Sequence, residues 1–329
     1  MHTSSRNSEV IHSGLYYEDE YLKTKLCLAG KSLLYSYLEK NNIAHKRCGK
    51  VLFAQKENLD KLNFFYERMK TREIQAEFLT KERLKDICPI LVPGEAVLIK
   101  DTGIVDSHDL MRSLNTKAIE NGVIFQYGKE VVSSYKTQNE FHVSFDDDEY
   151  VVKTKNLINC AGLWANDISK VCGIDNKDYE LTYVKGEYFK TSKLKDLPHL
   201  IYTVPKNTEI SLGIHTKNNL DGSVSFGPNA FEIEFQKISW YLGSKNPDYS
   251  VDENHKKDFE RELTECFDSQ IDFDLSPDYS GIRPKLKTGK KDFVIKKEHN
   301  GLINLIGIES PGLTSCFAIA NMVNELVHF

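Results

Sequence analysis

The sequence predicts an α/β fold, and three features carry that prediction. Residues 157–160 form a short apolar strand that runs through Ala161-Gly162 into a helix over 163–171. A second such unit closes the chain: a strand over 302–306, a turn over 307–312 and a helix over 313–327 with small residues early. Between them, 180–226 is β-rich, with strands expected at 181–189, 200–204, 210–216 and 224–226, bounded by Gly, Pro and Asn. The chain has 329 residues, of which 40% are hydrophobic and 28% charged, enough for a large core and too apolar for disorder. No repeat, low-complexity tract or long linker divides it into independent domains.

The remaining elements follow in chain order. Residues 1–14 are polar and aperiodic and read as a loop rich in hydrogen-bonding side chains. Leu22, Leu26, Ala29, Leu33, Leu34, Tyr37 and Leu38 recur at helical spacing, and Val51-Leu52-Phe53-Ala54 follows Gly49 as a strand. An amphipathic helix is expected over 58–70. Asp106 precedes a periodic run through Leu110, Leu114 and Ile119 that stops at Gly122, the signature of a capped helix, and 123–127 should be the strand it feeds. Residues 131–152 alternate apolar and polar around the solvated turn Asp146-Asp147-Asp148, which predicts an antiparallel meander. Two further helices are expected at 231–242 and 252–267.

Charge and composition exclude several classes of function. With 43 Lys+Arg against 48 Asp+Glu the formal charge is -5, which gives no electrostatic footprint for nucleic acid or anionic lipid. No apolar stretch approaches the roughly 20 residues that span a bilayer, and Arg6 and Glu9 stand where a signal peptide would be apolar. A soluble cytoplasmic protein is expected, compatible with a peripheral place at a membrane. Seven scattered cysteines without C-x-x-C predict neither a disulfide framework nor a zinc site, and no metal is expected. P-loop, H-E-x-x-H and G-x-S-x-G motifs are absent, and no two glycines stand at i, i+2. The two strand–turn–helix units still supply helix N-termini, which attract anionic or electron-rich groups.

Several blocks carry a family resemblance. They are residues 2–17 (His2-Thr3-Ser4-Ser5-Arg6-Asn7-Ser8 through Tyr17), Asn159-Cys160-Ala161-Gly162-Leu163-Trp164-Ala165, Lys185-Gly186-Glu187-Tyr188-Phe189, Gly213-Ile214-His215, Gly227-Pro228-Asn229-Ala230, Gly281-Ile282-Arg283-Pro284 and 307–314. In order and over nearly the whole chain they resemble the L-2-hydroxyglutarate dehydrogenase group of the D-amino-acid-oxidase-type flavoproteins. One departure stands out. In that superfamily a strand, a G-x-G-x-x-G turn, a helix and a second strand precede the His-x-Ser-x-Arg-Asn-Ser type segment, so a unit of about 40 residues is expected to be encoded upstream of Met1. Without it the chain would be a non-catalytic remnant.

The resemblance implies a Rossmann-like FAD-binding part (1–50, 100–175 and 285–329) interleaved with a β-rich substrate part (51–99 and 176–284). It implies oxidation of an L-2-hydroxy acid, L-2-hydroxyglutarate to 2-oxoglutarate, by hydride transfer to FAD, with a quinone, an electron-transfer flavoprotein or oxygen as acceptor. The alternatives within the superfamily are oxidation of an amino acid, an amine or glycerol 3-phosphate. Ser5, Arg6, Asn7, Ser8, Ala161 and Gly162 are expected along the dinucleotide, and Gly307, Gly312, Leu313 and Thr314 at the flavin ring. Arg283, expected at the end of a strand, would grip the substrate carboxylate with its planar fork. His12 or His215 would take the hydroxyl proton, the choice between them being open. Tyr188 and Lys185 are expected to face the substrate, with Lys185 or Lys285 as the second cation that a dicarboxylate needs.

Overall fold

A computed structural model of the chain describes residues 2–146, 150–205, 213–234, 247–289 and 291–328. Its architecture is mixed α/β, with five small sheets among the described residues. The five-stranded sheet is centred on the long strand Leu181–Lys195, which pairs antiparallel with Leu275–Leu286, Ser223–Gly227 and Phe231–Ile233, while His215–Asn218 lies at its edge. A four-stranded sheet in the order Leu200–Thr203, Lys50–Ala54, Glu95–Ile99, Ala76–Leu79 packs beside it. Val51, Phe53, Phe189, Ile201, Phe226 and Phe259 join the two in one buried cluster.

The two strand–turn–helix units meet in one sheet, as their sequence pattern suggests. Ile158–Asn159 runs parallel to Ile303–Ile306, a pairing closed by a buried hydrogen bond from Asn159 Nδ2 to Asn304 Oδ1 at 2.9 Å. The helix Gly312–His328 then packs on the helix Leu22–Lys40. Gly30 allows the approach: a Cβ there would stand 2.7 Å from the Thr314 carbonyl oxygen and 2.8 Å from Ser315 Cα. This contact brings the start of the last helix against the N-terminal segment, where the Thr314 hydroxyl accepts the His12 amide at 3.0 Å. The helix Ser107–Glu120 is capped as its sequence predicts, the Asp106 side chain accepting the Asp109 amide at 2.8 Å. The expected meander forms as Val131–Lys136, Phe141–Phe145 and Val151–Thr154; Asp147 and Asp148 of its turn lie outside the described residues.

Three expectations are corrected. Residues 123–127 are irregular rather than a strand, and Ile124 is 89% exposed. An apolar run does not make a strand without a neighbour to take its backbone hydrogen bonds, and none pairs with it among the described residues. Residues 231–233 form a strand, not a helix start, because Phe231 and Ile233 flank Glu232 with period two and lie along the open edge of residues 183–185. The rest of that expected helix, 235–242, lies outside the described residues, as do residues 210–212 of the strand expected at 210–216, of which His215 and Thr216 fall in the strand His215–Asn218. Arg283 stands inside the twelve-residue strand Leu275–Leu286, opposite Val184, rather than at a strand end. No helix among the described residues is long and apolar enough to cross a membrane.

Candidate active site

A cavity of about 460 Å³ opens where the N-terminal segment, the central sheet and the start of the last helix converge. Of the residues singled out from sequence, Arg6, Asn7, Ser8, His12, Gly162, Tyr188, His215, Arg283, Lys285, Gly312, Leu313 and Thr314 line it, although they are spread over more than 300 positions. Four others do not. The Ser5 hydroxyl donates to the His2 carbonyl at 3.3 Å, within its own turn. The Ala161 amide donates to Asn159 Oδ1 at 3.1 Å, and Gly307 turns the chain at φ +69° against Leu286. Lys185 is drawn to carboxylates instead, with Nζ 3.9 Å from Glu187 and 3.5 Å from Asp248. That pairing removes it as a candidate cation for substrate.

The central strand pair positions the guanidinium. Close backbone approach at Gly281, where a Cβ would collide with the Arg6 carbonyl oxygen, lets the polar segment 3–8 lie across the strand that carries Arg283. Tyr279 fixes the same segment by donating from its hydroxyl to the Asn7 carbonyl at 2.6 Å. Arg283 is half-buried and makes no hydrogen bond or ion pair among the described residues. A guanidinium held at a cavity without a partner is ready to meet an anion.

Two histidines, His215 buried and His12 half-buried, line the same cavity. His215 is stacked on Tyr202 with ring centroids 3.7 Å apart, and its Nδ1 lies 2.8 Å from the Gly213 carbonyl oxygen. A carbonyl only accepts, so Nδ1 carries the proton and Nε2 is left with its lone pair. Burial, chiefly, with the charges of Lys50, Arg283 and His12, lowers the His215 pKa to about 3 against the pull of that carbonyl. His12 is likewise lowered to about 3, first by burial and then by Lys50 and Arg283, and its Nε2 sits 3.3 Å from the Ser310 hydroxyl. Both rings are therefore neutral at physiological pH.

Sequence reasoning missed part of the site. Tyr16, Tyr17, Lys23, Tyr202 and Glu309 also line the cavity. Lys23 donates from Nζ to Glu309 Oε1 at 2.7 Å, a buried pair 286 residues apart in sequence. Burial pushes the Glu309 carboxyl up, but Lys23, Lys285 and Arg283 outweigh it and hold the group below its ordinary range. Glu309 lay within a recognised block, but nothing local marks its partner. The helix Gly312–His328 begins at the cavity, and the first-turn amides of such a helix have no acceptors inside it.

This fold and site define a mixed α/β protein whose cavity pairs a free cation and a helix N-terminus with neutral imidazoles, a setting that can hold an anion and take up a proton. Residues 1–326 match the family described as FAD dependent oxidoreductase, and the chain belongs to that family. Among curated relatives it is 33% identical to the mitochondrial L-2-hydroxyglutarate dehydrogenase of Arabidopsis thaliana, over 98% of this chain and 74% of that protein. It is 30% identical to the L-2-hydroxyglutarate dehydrogenase of Indibacter alkaliphilus, over 98% and 88% of the two chains. In fold it is similar to L-α-glycerophosphate oxidase from Mycoplasma pneumoniae, solved with FAD bound (TM-score 0.85, 22% identity, 100% of this chain and 85% of that one). Glycine oxidase from Geobacillus kaustophilus is similar too (TM-score 0.79, 18% identity, 99% and 85%).

The residues present fit the cofactor. At Gly162, with φ +57°, no atom lies within 4 Å of where a Cβ would stand, so the backbone is open to a close-lying ligand there. The amides of Leu313 and Thr314 and the side chains of Arg6 and Ser8 form a donor set suited to an anionic, acceptor-rich group, while Asn7 lines the cavity with its amide spent on the Thr3 and Ser4 carbonyls, where it shapes the segment.

Proposed function

We propose that this FAD-dependent oxidoreductase oxidises an L-2-hydroxy acid, L-2-hydroxyglutarate, to the 2-oxo acid. The observation that carries the reading is the unpartnered Arg283 guanidinium at a cavity that also holds His215 with a free Nε2. The names of the relatives at 30–33% identity support the choice of substrate. Arg283 binds the carboxylate beside C2 through two parallel N–H donors and so orients the C2 hydroxyl. His215 accepts the hydroxyl proton at Nε2, its Nδ1–H anchored to Gly213 so that the ring cannot present the wrong tautomer. The Lys50 and Arg283 charges that keep the ring neutral also favour release of that proton afterwards. Bound FAD supplies the two-electron acceptor. The discontinuous division into a cofactor part and a substrate part belongs to the same proposal, with the β-rich stretch 176–284 shaping the substrate end.

The test is anaerobic bleaching of the FAD-loaded enzyme by a panel of L-2-hydroxyglutarate, L-glutamate and L-glycerol 3-phosphate. L-2-hydroxyglutarate should bleach the flavin fastest. Faster bleaching by either of the others would replace this reading with that of an amino-acid or glycerol-phosphate enzyme.

A further inference from the structure

Behind the cavity wall lies a cation that the mechanism above does not use in binding. Lys50, at the start of the strand Lys50–Ala54, is fully buried. Its Nζ donates to the Tyr16 hydroxyl at 3.1 Å and stands 4.6 Å from the Tyr16 ring centroid and 4.7 Å from that of Tyr202. No carboxylate lies within ion-pair distance of it among the described residues. A buried ammonium without a counter-ion is costly, and two π faces offset that cost only in part. Tyr16 and Tyr202 both line the cavity, and the buried Tyr202 hydroxyl has no hydrogen-bond partner among the described residues. An uncompensated cation and an unused hydroxyl at one wall are what an anionic ligand group would complete.

We propose that Tyr16, Tyr202 and Lys50 form the subsite for the second carboxylate of a dicarboxylate substrate, Tyr16 donating its hydroxyl proton to that carboxylate while Lys50, donating to Tyr16, supplies the counter-charge. The proposal rests on the reading of the protein as a 2-hydroxy-acid oxidoreductase and deepens it. The cations named from sequence fit this task less well: Lys185 faces Glu187 and Asp248, and Lys285 lies in the field of Glu309, whose ion-pair partner is Lys23. Both histidines lie in the field of Lys50 and of Arg283. Burial holds the Tyr16 hydroxyl well above its ordinary range, so it stays a donor.

The arrangement also couples binding to a proton. Burial lowers the Lys50 pKa to about 7, against the opposing influence of Asp101 and Cys27; Tyr16, Tyr202, His12 and His215 are the other titratable groups near it. A second carboxylate stabilises the charged form, so ligand binding above neutral pH takes up a proton at Lys50. Affinity for the second carboxylate should therefore fall as pH rises through 7.

The experiment compares kcat/KM for L-2-hydroxyglutarate with that for L-2-hydroxyvalerate, which replaces the second carboxylate by a methyl group, in the FAD-loaded parent and in Lys50→Met, Lys50→Arg and Tyr16→Phe. The ratio between the two substrates should fall by about tenfold or more in Lys50→Met and in Tyr16→Phe and be partly restored in Lys50→Arg. Calorimetry with glutarate gives a reading independent of turnover: its affinity should drop between pH 7 and 9 in the parent and lose that dependence in Lys50→Met. If Lys50→Met does not fold, Tyr16→Phe decides through the substrate ratio. An unchanged ratio in every folded variant, in a parent that does oxidise L-2-hydroxyglutarate, overturns the subsite alone. A parent that ignores L-2-hydroxyglutarate overturns the underlying functional reading with it.

Discussion

At the scale of residues, Arg283 and His215 do different work: one binds a carboxylate, the other takes a proton. Arg283→Lys keeps the charge but loses the planar fork, so kcat/KM for the hydroxy acid should fall by about 2–4 kcal/mol of transition-state binding. Steady-state kinetics within twofold of the parent would place the carboxylate elsewhere. His215→Asn should slow flavin reduction by about 10²–10⁴-fold while leaving the apparent substrate affinity nearly as it was, because base assistance is expressed in the transition state. Stopped-flow reduction of His12→Asn is the control, since His12 is tied to Ser310 and Thr314 and should shift affinity more than rate. A large rate loss in His12→Asn with none in His215→Asn would exchange the two roles. Arg283 and both histidines were legible because they lie in recognised blocks. Lys50 was not: a lysine at the start of a strand ordinarily lies at the surface, and only the tertiary fold seats it behind Tyr16 and Tyr202.

Among elements, the close contacts at glycine decide how the cavity is walled. Gly30 sits where the helices Leu22–Lys40 and Gly312–His328 cross, and Gly281 where the strand Leu275–Leu286 meets residue 6. Gly30→Ala should force these helices apart and destabilise the protein by about 1–3 kcal/mol, visible as a lower midpoint in thermal or denaturant melts. An unchanged midpoint would mean that the crossing is looser than the structure places it. Helices were the most readable elements, because their apolar spacing and caps are local, as at Asp106. Strands were read less well. Residues 123–127 are an apolar run with no paired strand among the described residues, and residues 231–233 acquire a neighbour only through residues 183–185, 46 or more positions away.

The whole molecule carries the cost of burying these groups, and pH reveals it. For Lys50 the folded pKa of about 7 lies below the ordinary lysine value, so the unfolded chain binds the extra proton between them. Relative to Lys50→Met, the parent should therefore gain stability as pH rises from 7 to 9, a difference checked by paired thermal melts. Equal pH dependence in the two proteins would show that Lys50 is not buried as described. The histidines act in the acid range: folded pKa values of about 3 against an ordinary 6.5 mean stability that is present above 6.5 and lost as pH falls towards 3.

At this same scale, the sequence blocks pointed to the family and to most cavity residues, while the charge network behind the wall came only from packing. The most direct test of the central claim is a single turnover: FAD-loaded enzyme mixed anaerobically with one equivalent of L-2-hydroxyglutarate, with flavin absorbance and 2-oxoglutarate followed together. The account predicts one equivalent of 2-oxoglutarate per flavin bleached from the L enantiomer and none from the D enantiomer. Bleaching without 2-oxoglutarate, or equal reaction of both enantiomers, would contradict it.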